Sequence, residues 1–241
     1  MTQEEKMNRI EELKIKLSHK SLKEIMDFLN DESLEVKLSA VEALASYDAF
    51  VEARNILLNL TKNADSEIRY YAIEALGHFG GHDIEQIIIK RLRDSDELVR
   101  IVAIQTLGDI QALEAIDYLK ETIIDRSELV RGIGAEILGK LGDEGLIPVL
   151  EKGLHMEKKD TAIMGFYIGL YWLQQKKYLD SILNMLKNNS YRIRCAAANS
   201  LLELADNQNA EKIMLHLREA LLIEETNAVR SSILNILDQI P

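Results

Sequence analysis

The chain has 241 residues, of which 47% are hydrophobic, enough apolar content to build a substantial core. Its formal net charge is −11, so it lacks the basic surface that binding to nucleic acid or to anionic membranes requires. It has one cysteine, no signal-peptide pattern and no apolar run of membrane-spanning length, and we therefore expect a cytoplasmic protein without disulfides. Only two prolines interrupt the chain, which favours an all-α fold.

A short pattern recurs about every 31 residues and is centred on a basic residue that usually follows a branched apolar one. The seven copies align on Lys37, Arg69, Arg100, Arg131, Ile163, Arg194 and Arg230, of which Ile163 alone lacks the base. The residue seven positions after each of these anchors is leucine in all seven copies. Chance does not place leucine so regularly, and the pattern therefore indicates an array of structural repeats.

Each copy is predicted to contain two helices. The best-preserved first helix is Asp94–Ile110, where Asp94 and Ser95 offer cap oxygens and Gly108 closes the apolar pattern. A more variable amphipathic second helix follows in each copy. The candidates for second helices are Lys20–Leu29, Phe50–Leu60, Asp83–Leu92, Leu113–Ile124, Gly145–Leu154, Tyr178–Leu186 and Ala210–Ile223.

The repeats predict one continuous domain over residues 1–241. Residues 1–30 form a degenerate N-terminal capping hairpin in this interpretation, with Glu4–Leu17 as its first helix. Residues 31–206 hold the core repeats, and residues 207–241 a C-terminal capping repeat. The last anchor spacing is 36 residues, which lengthens the final second helix and suits a cap.

The copies resemble the HEAT-like repeat family, in particular the short repeats of phycobilisome-lyase-type HEAT proteins. The resemblance rests on Asp65–Gly77, Ser95–Gly108 and Arg126–Gly139, and it extends over nearly the whole chain. It implies a right-handed α-solenoid of about seven stacked repeats, with first helices on the convex side and second helices on the concave side. It also implies a ladder of ion pairs between neighbouring repeats, formed here by Asp65, Asp94 and Asp125 with Arg69, Arg100 and Arg131.

The fifth copy, Asp160–Gln174, departs from the pattern. It has Phe166 where most copies have a small residue, and we expect this bulky side chain to spread the adjacent helices or change the local curvature. The copy also concentrates Phe166, Tyr167, Tyr171 and Trp172. Aromatic residues at helical spacing are usually core, but tyrosine and tryptophan are also enriched at binding hot spots, and the sequence leaves both interpretations open.

No catalytic constellation or cofactor motif is present. His78 and His82 flank a Gly80-Gly81 turn and could in principle bind a metal, but the sequence offers no third ligand beside them, and we expect a surface turn with no metal. The His-Glu dipeptides of the iron-binding deoxyhypusine hydroxylases, which also have HEAT-like repeats, do not occur in this chain.

The second helices carry the candidate binding residues. Their apolar stripes should face the core and leave a mostly acidic set on the concave surface, which would suit a basic protein partner; the alternative is a solvated helix face. The set consists of Glu85, Gln86, Asp117, Tyr118, Glu121, Glu151 and Lys152, to which we add Tyr171 and Trp172 from the fifth copy.

These features predict a non-enzymatic protein–protein interaction module, monomeric, that binds neither nucleic acid nor membranes. Size and charge also fit an immunity-type protein that neutralises a basic toxin or nuclease. The resemblance implies a third function, a phycobilin lyase-like activity. The sequence does not identify the partner.

Overall fold

The computed structural model describes residues 1–240, and these residues form fifteen α-helices, short 3-10 turns and no strand. The helices, in chain order, are α1 (Gln3–Lys16), α2 (His19–Phe28), α3 (Leu34–Leu44), α4 (Val51–Leu60), α5 (Ser66–Leu76), α6 (His82–Arg91), α7 (Glu97–Asp109), α8 (Ile116–Leu119), α9 (Glu128–Leu141), α10 (Ile147–Met156), α11 (Asp160–Trp172), α12 (Tyr178–Met185), α13 (Tyr191–Leu204), α14 (Ala210–Ile223) and α15 (Asn227–Leu237). The all-α prediction is confirmed. The helices fall into two compact units, Met1–Leu119 (unit 1) and Lys120–Pro241 (unit 2).

In unit 1 the helices form two layers. The first helices α1, α3, α5 and α7 pack against one another in order, and we call them the first-helix layer. The second helices α2, α4 and α6 each pack against the first helix that follows them in the chain. The repeat leucines Leu44, Leu76 and Leu107 are fully buried between these elements. Burial of one such side chain contributes about 1.5–3 kcal/mol to the free energy of unfolding, so the repeated leucine is a structural residue.

The first helices begin at side-chain caps. The side chains of Ser33, Asp65, Asp96 and Ser127 accept hydrogen bonds from backbone N–H groups in the first turns of α3, α5, α7 and α9. The predicted caps Asp94 and Ser95 were therefore placed too early, because Asp96 caps α7. The carboxylate of Asp94 instead accepts the N–H of Asp96 and the guanidinium of Arg69.

In unit 2 the first helices are α9, α11, α13 and α15, and α9 and α11 come into backbone contact. A Cβ atom added at Gly139, Gly165 or Gly169 would collide with a main-chain carbonyl of the facing helix. Side chains are thus excluded at these three positions. Close approach of this kind gains van der Waals contact, and any larger residue would have to push the helices apart.

Phe166 does not spread α11 away from α9, so that part of the expectation is wrong, while a change in local curvature stays a prediction. Phe166 is fully buried, and its ring lies over Gly153 of α10, where an added Cβ atom would collide with the ring. The missing side chain at Gly153 makes room for the aromatic ring on the second-helix side. The contact with α9 is made by other residues of α11, the two glycines Gly165 and Gly169.

Six of the seven predicted second helices are present with bounds close to those expected. The seventh, Leu113–Ile124, is not one helix: it consists of a 3-10 turn at Leu113–Ala115, the short α8, and a second 3-10 turn at Thr122–Ile124. Three consecutive β-branched residues, Thr122, Ile123 and Ile124, disfavour a helix at its end. Thr122 also packs into the space that a side chain at Gly134 would occupy.

Candidate protein-binding surfaces

The anchor arginines join neighbouring repeats. In unit 1 the guanidinium of Arg69 donates two hydrogen bonds to the carboxylate of Asp94, at 3.0 and 2.7 Å, and two more to the carbonyls of Asn63 and Ala64. Burial raises the pKa of Asp94, but the hydrogen bonds from Arg69 and from the Asp96 N–H, together with the charges of Arg69 and Arg91, keep it below its usual value. The ion pair implied by the family resemblance is confirmed between these two residues.

In unit 2 the arginines use glutamates that the repeat pattern did not reveal. Arg131 binds both oxygens of Glu157, at 2.5 and 3.0 Å, and Arg194 binds both oxygens of Glu224, at 2.6 and 2.9 Å. These arginine hydrogen bonds lower the pKa of Glu157 and of Glu224 to about 2. All four side chains are largely buried and saturated with partners, so they hold the stack together and offer nothing to a ligand.

Ion pairs also link neighbouring second helices. Arg54 of α4 pairs with Asp83 of α6, and Lys212 of α14 pairs with Asp180 of α12. Glu151 of α10 accepts hydrogen bonds from Lys177 and from the hydroxyl of Tyr178, both at 3.2 Å. Of the acidic residues predicted to bind a partner, Glu151 is thus already paired with a cation of the same chain.

The predicted binding residues are distributed over both units. In unit 1, Glu85 and Gln86 are half-buried on α6, whereas Asp117 and Tyr118 are exposed on α8. In unit 2, Glu121 and Lys152 are exposed and Glu151 is half-buried. Asp117 and Glu121 each interact with other protein groups, as Glu151 does.

The aromatic residues of the fifth copy belong mainly to the core. Phe166 is fully buried and Tyr171 is 4% exposed, and the Tyr171 hydroxyl accepts a hydrogen bond from Asn209 at 2.7 Å. Tyr171 is therefore not available to a partner, and its inclusion among the binding residues is corrected. Tyr167 and Trp172 are partly buried against the same core. The indole N–H of Trp172 is buried without a hydrogen-bond partner, and Lys140 lies 5.8 Å from its ring centre.

His82, Glu85 and Glu114 form the one group in residues 1–240 with the composition of a metal-ligand set. Their ligand atoms all lie within 4.8 Å of one another, and His82 Nδ1 is 3.1 Å from a carboxylate oxygen of Glu114. One imidazole and two carboxylates could hold a divalent cation. The sequence offered no third ligand for His82, because Glu114 comes from the next repeat. His82 and Glu114 are both largely exposed and already pair with each other.

A groove in the first-helix layer of unit 1 is the feature that the sequence did not predict. It encloses about 450 Å³ between the N-terminal ends of α5 and α7. Its lining consists of Ser66, Glu67, Tyr70, Tyr71, Asp96 and Leu98, which we call the tyrosine groove. The rings of Tyr70 and Tyr71 meet edge to face, with centres 5.3 Å apart and planes at 75°.

The carboxylates beside the tyrosine groove have no basic partner. Glu67 and Glu74 lie on the tyrosine face of α5, and Glu42 occupies the position in α3 that Glu74 occupies in α5. No lysine or arginine in the described residues lies within ion-pair distance of these three side chains. Partial burial raises the pKa of Glu42. The charge of Lys14 opposes this shift, whereas the charges of Glu74 and Glu11 add to it. We call Glu42, Glu67 and Glu74 the open carboxylates.

One sequence signal could have pointed to this groove. The copy DSEIRYYAIEALG has two aromatic residues directly after its anchor, where every other copy has none. The aromatic-rich fifth copy was the more conspicuous signal, but most of its rings are used in the core.

The repeat pattern and the layered helices match a known family model. The model describes HEAT repeats and matches residues 22–87 and 84–170, more than half of the chain. The chain belongs to the HEAT repeat family. Its anchor residues, ion-pair ladder and two-helix repeats are thus features of a HEAT stack.

Solved structures show the same fold at low sequence identity. The complex of CpcE and CpcF of phycocyanin lyase from Nostoc has a TM-score of 0.62 at 16% identity, over 91% of this HEAT chain and 94% of that chain. Escherichia coli YibA has a TM-score of 0.58 at 16% identity, over 95% of each chain. The Mot1 N-terminal domain in complex with TBP has a TM-score of 0.55 at 16% identity, over 91% of this chain and 34% of that one. These likenesses establish the α-solenoid fold.

No curated protein sequence is significantly similar to this HEAT chain. Between residues 1 and 240, no helix has both the length and the apolar character needed to cross a bilayer.

Proposed function

We propose that this HEAT chain is a non-enzymatic interaction module that binds a basic segment of a protein partner on the first-helix layer of unit 1. The observation that carries the proposal is the set of open carboxylates Glu42, Glu67 and Glu74. A carboxylate that already has an internal partner gains little from a second cation. One without a partner can form a new charge-assisted contact.

The distribution of charge over the chain supports this location. Unit 1 has 14 lysines and arginines against 23 aspartates and glutamates, a formal net charge of −9. Unit 2 has 15 against 17, a net charge of −2. A concentrated field of one sign raises the rate at which an oppositely charged partner arrives and selects against acidic partners. The proposal moves the binding surface from the second helices, where the sequence placed it, to the first helices.

Two other functions were expected from the sequence, and they relate to this proposal in different ways. An immunity-type role is a special case of it, because a basic toxin or nuclease is one kind of basic partner. A lyase-like role is supported only by the fold that this chain shares with phycocyanin lyase, and a fold hosts many unrelated functions. Mixing the chain with a free bilin tests it, since binding would change the absorbance spectrum of the bilin.

The proposal is tested with a short fluorescein-labelled peptide rich in arginine and lysine, titrated with the full chain and followed by fluorescence anisotropy. In the first variant, Glu42, Glu67 and Glu74 are all replaced by glutamine. Three lost contacts of about 0.5 kcal/mol each should weaken binding about tenfold. Higher salt should weaken peptide binding by the wild type and reduce the difference in affinity between the wild type and the variant.

The matched control removes the same charge from other exposed parts of unit 1. Glu4, Glu32 and Glu52 are exposed and are replaced together by glutamine. If the open carboxylates form the site, the control variant binds the peptide almost as tightly as the wild type. Equal weakening in both variants would mean that the peptide senses only net charge, and the proposed surface would be wrong.

A further inference from the structure

The side chains of Tyr70 and Tyr71 form two walls of the tyrosine groove. They are consecutive residues on α5, both are half-buried, and their rings stand at 75° to each other in a groove of about 450 Å³. A volume of this size is typical of sites that enclose a small group. The remaining lining is short or acidic, apart from Leu98 of α7, which is 58% exposed.

The groove has the chemistry of a cation site. The face of an aromatic ring attracts a cation, and a carboxylate at the rim adds a charge-assisted hydrogen bond. Glu67 lies three and four residues before the two tyrosines and Glu74 three and four after, so both glutamates share their side of α5. Burial is the main cause of the raised pKa of both phenols, and the charges of nearby glutamates add to it. The glutamate charges that contribute to this shift also favour a cation beside the rings.

Three aromatic rings in unit 2 already have cations of their own. Lys176 lies 4.2 Å from the ring centre of Tyr171, and Lys177 lies 5.0 Å from that of Tyr178. Trp172 has Lys140 at 5.8 Å. None of the lysines and arginines in the described residues takes such a position over Tyr70 or Tyr71. The tyrosine groove thus combines two ring faces and unpaired carboxylates with no internal cation.

We propose that the tyrosine groove receives one cationic side chain, an arginine or lysine, of the basic segment that binds unit 1. This inference rests on the proposed function and names the contact through which the partner is recognised. The cation lies in the groove against the ring surfaces that Tyr70 and Tyr71 present to it, with its charged end toward Glu67 and Asp96. The rest of the segment runs along the first helices toward Glu74 and Glu42.

The test separates the ring faces from the hydroxyl groups. In one double variant Tyr70 and Tyr71 are replaced by leucine, which keeps apolar bulk but removes the aromatic faces. In the matched control both are replaced by phenylalanine, which keeps the faces and removes the hydroxyls. The same arginine- and lysine-rich peptide is titrated against each, and circular dichroism and the melting temperature verify that each variant is folded.

We expect the leucine variant to bind the peptide at least about fivefold more weakly and the phenylalanine variant to bind within about twofold of wild type. A peptide in which citrulline replaces each arginine and norleucine replaces each lysine should bind the wild type and the leucine variant equally weakly. If the leucine variant binds the basic peptide as tightly as wild type, or if phenylalanine weakens binding as much as leucine, the groove is not the cation site.

The outcomes distinguish this inference from the proposed function. Unchanged binding by the leucine variant, with weak binding by the variant of the open carboxylates, overturns the groove and leaves the basic-partner surface standing. Absence of binding to the wild type overturns both. If leucine substitution lowers the melting temperature, the single variants Tyr70→Leu and Tyr71→Leu are measured, and each must still weaken binding more than its phenylalanine counterpart.

Discussion

Units 1 and 2 follow the same repeat plan but use their polar and aromatic side chains differently. Unit 2 is nearly neutral, its Tyr171, Trp172 and Tyr178 have lysines near their rings, and its helices α9 and α11 meet through glycines. Unit 1 carries most of the net charge, has three open carboxylates and presents two tyrosines without a cation. Several aromatic and acidic groups of unit 2 are thus paired with cations inside the unit. The tyrosine groove and the open carboxylates of unit 1 have no such pairing in the described part of the chain, and we propose that a partner supplies it.

The glycine contact of unit 2 should be the feature most sensitive to substitution. Replacing Gly169 by valine places two methyl groups against the backbone of α9 and forces the helices apart. We expect a loss of about 3 kcal/mol in the free energy of unfolding, measured by urea denaturation. The control is Gly145→Ala, whose nearest obstacle is the side chain of Asp143, and which should cost far less. A similar cost for both would show that the α9–α11 contact is loose.

Breaking the ladder in unit 2 should have the next largest effect. Replacing Arg131 by methionine leaves the buried carboxylate of Glu157 without its guanidinium, and we expect a loss of about 2–3 kcal/mol. The control Lys177→Met removes an exposed lysine from Glu151 and should leave the unfolding midpoint almost unchanged. If the two variants were equally stable, the anchor arginines would not be what joins the repeats.

The same carboxylates make stability depend on acid. The pKa of Glu157 and of Glu224 is about 2 in the folded chain, below the ordinary value of 4.5. Their contribution is therefore complete above pH 4.5 and is lost as the pH falls from 4.5 toward 2. The unfolding free energy of the wild type should fall over this range more steeply than that of Arg131→Met. Parallel curves for the two proteins would contradict the assignment.

The repeat plan was predictable because it is local. The leucine seven residues after each anchor is a helical position that must be buried in every copy, so its periodicity shows in the sequence. The cap of α7 was placed two residues early because Asp94 and Asp96 are both good cap residues. In the structure Asp94 accepts the guanidinium of Arg69 from the preceding repeat, and Asp96 is the residue that caps α7.

The wrong predictions concern features that depend on packing between different helices. Phe166 was expected to spread its neighbours, but Gly153 of another helix accommodates its ring. Leu113–Ile124 was predicted as one helix from its apolar spacing, but Thr122 packs in the space beside Gly134. Glu157 was not recognised as a ladder residue because it stands at the end of a second helix, outside the repeated motif.

The candidate site was the least predictable feature. Acidic side chains are easily counted in a sequence, but their internal partners are not: Glu151 was predicted to bind a partner, whereas Lys177 and Tyr178 already contact it. Glu42 and Glu74 are ordinary glutamates in the sequence. Only the structure shows that they form no ion pair within residues 1–240 and that both lie near enough to Tyr71 to act on its phenol.

The smallest predicted effect concerns the second helices. Replacing Glu85 and Lys152 by alanine should change the affinity for the basic peptide by less than about twofold, because neither residue borders the tyrosine groove. Anisotropy titration with the full chain measures this. A loss as large as that of the open-carboxylate variant would return the binding surface to the second helices.

Hydrogen–deuterium exchange of the full chain, with and without the basic peptide, is the most direct test of the proposed binding surface on unit 1. We expect slower exchange on binding in α3, α5 and the start of α7, over the residues that carry the open carboxylates and the tyrosine groove, and little change in residues 120–240. Protection confined to α10 and α12, or spread evenly over both units, would contradict it.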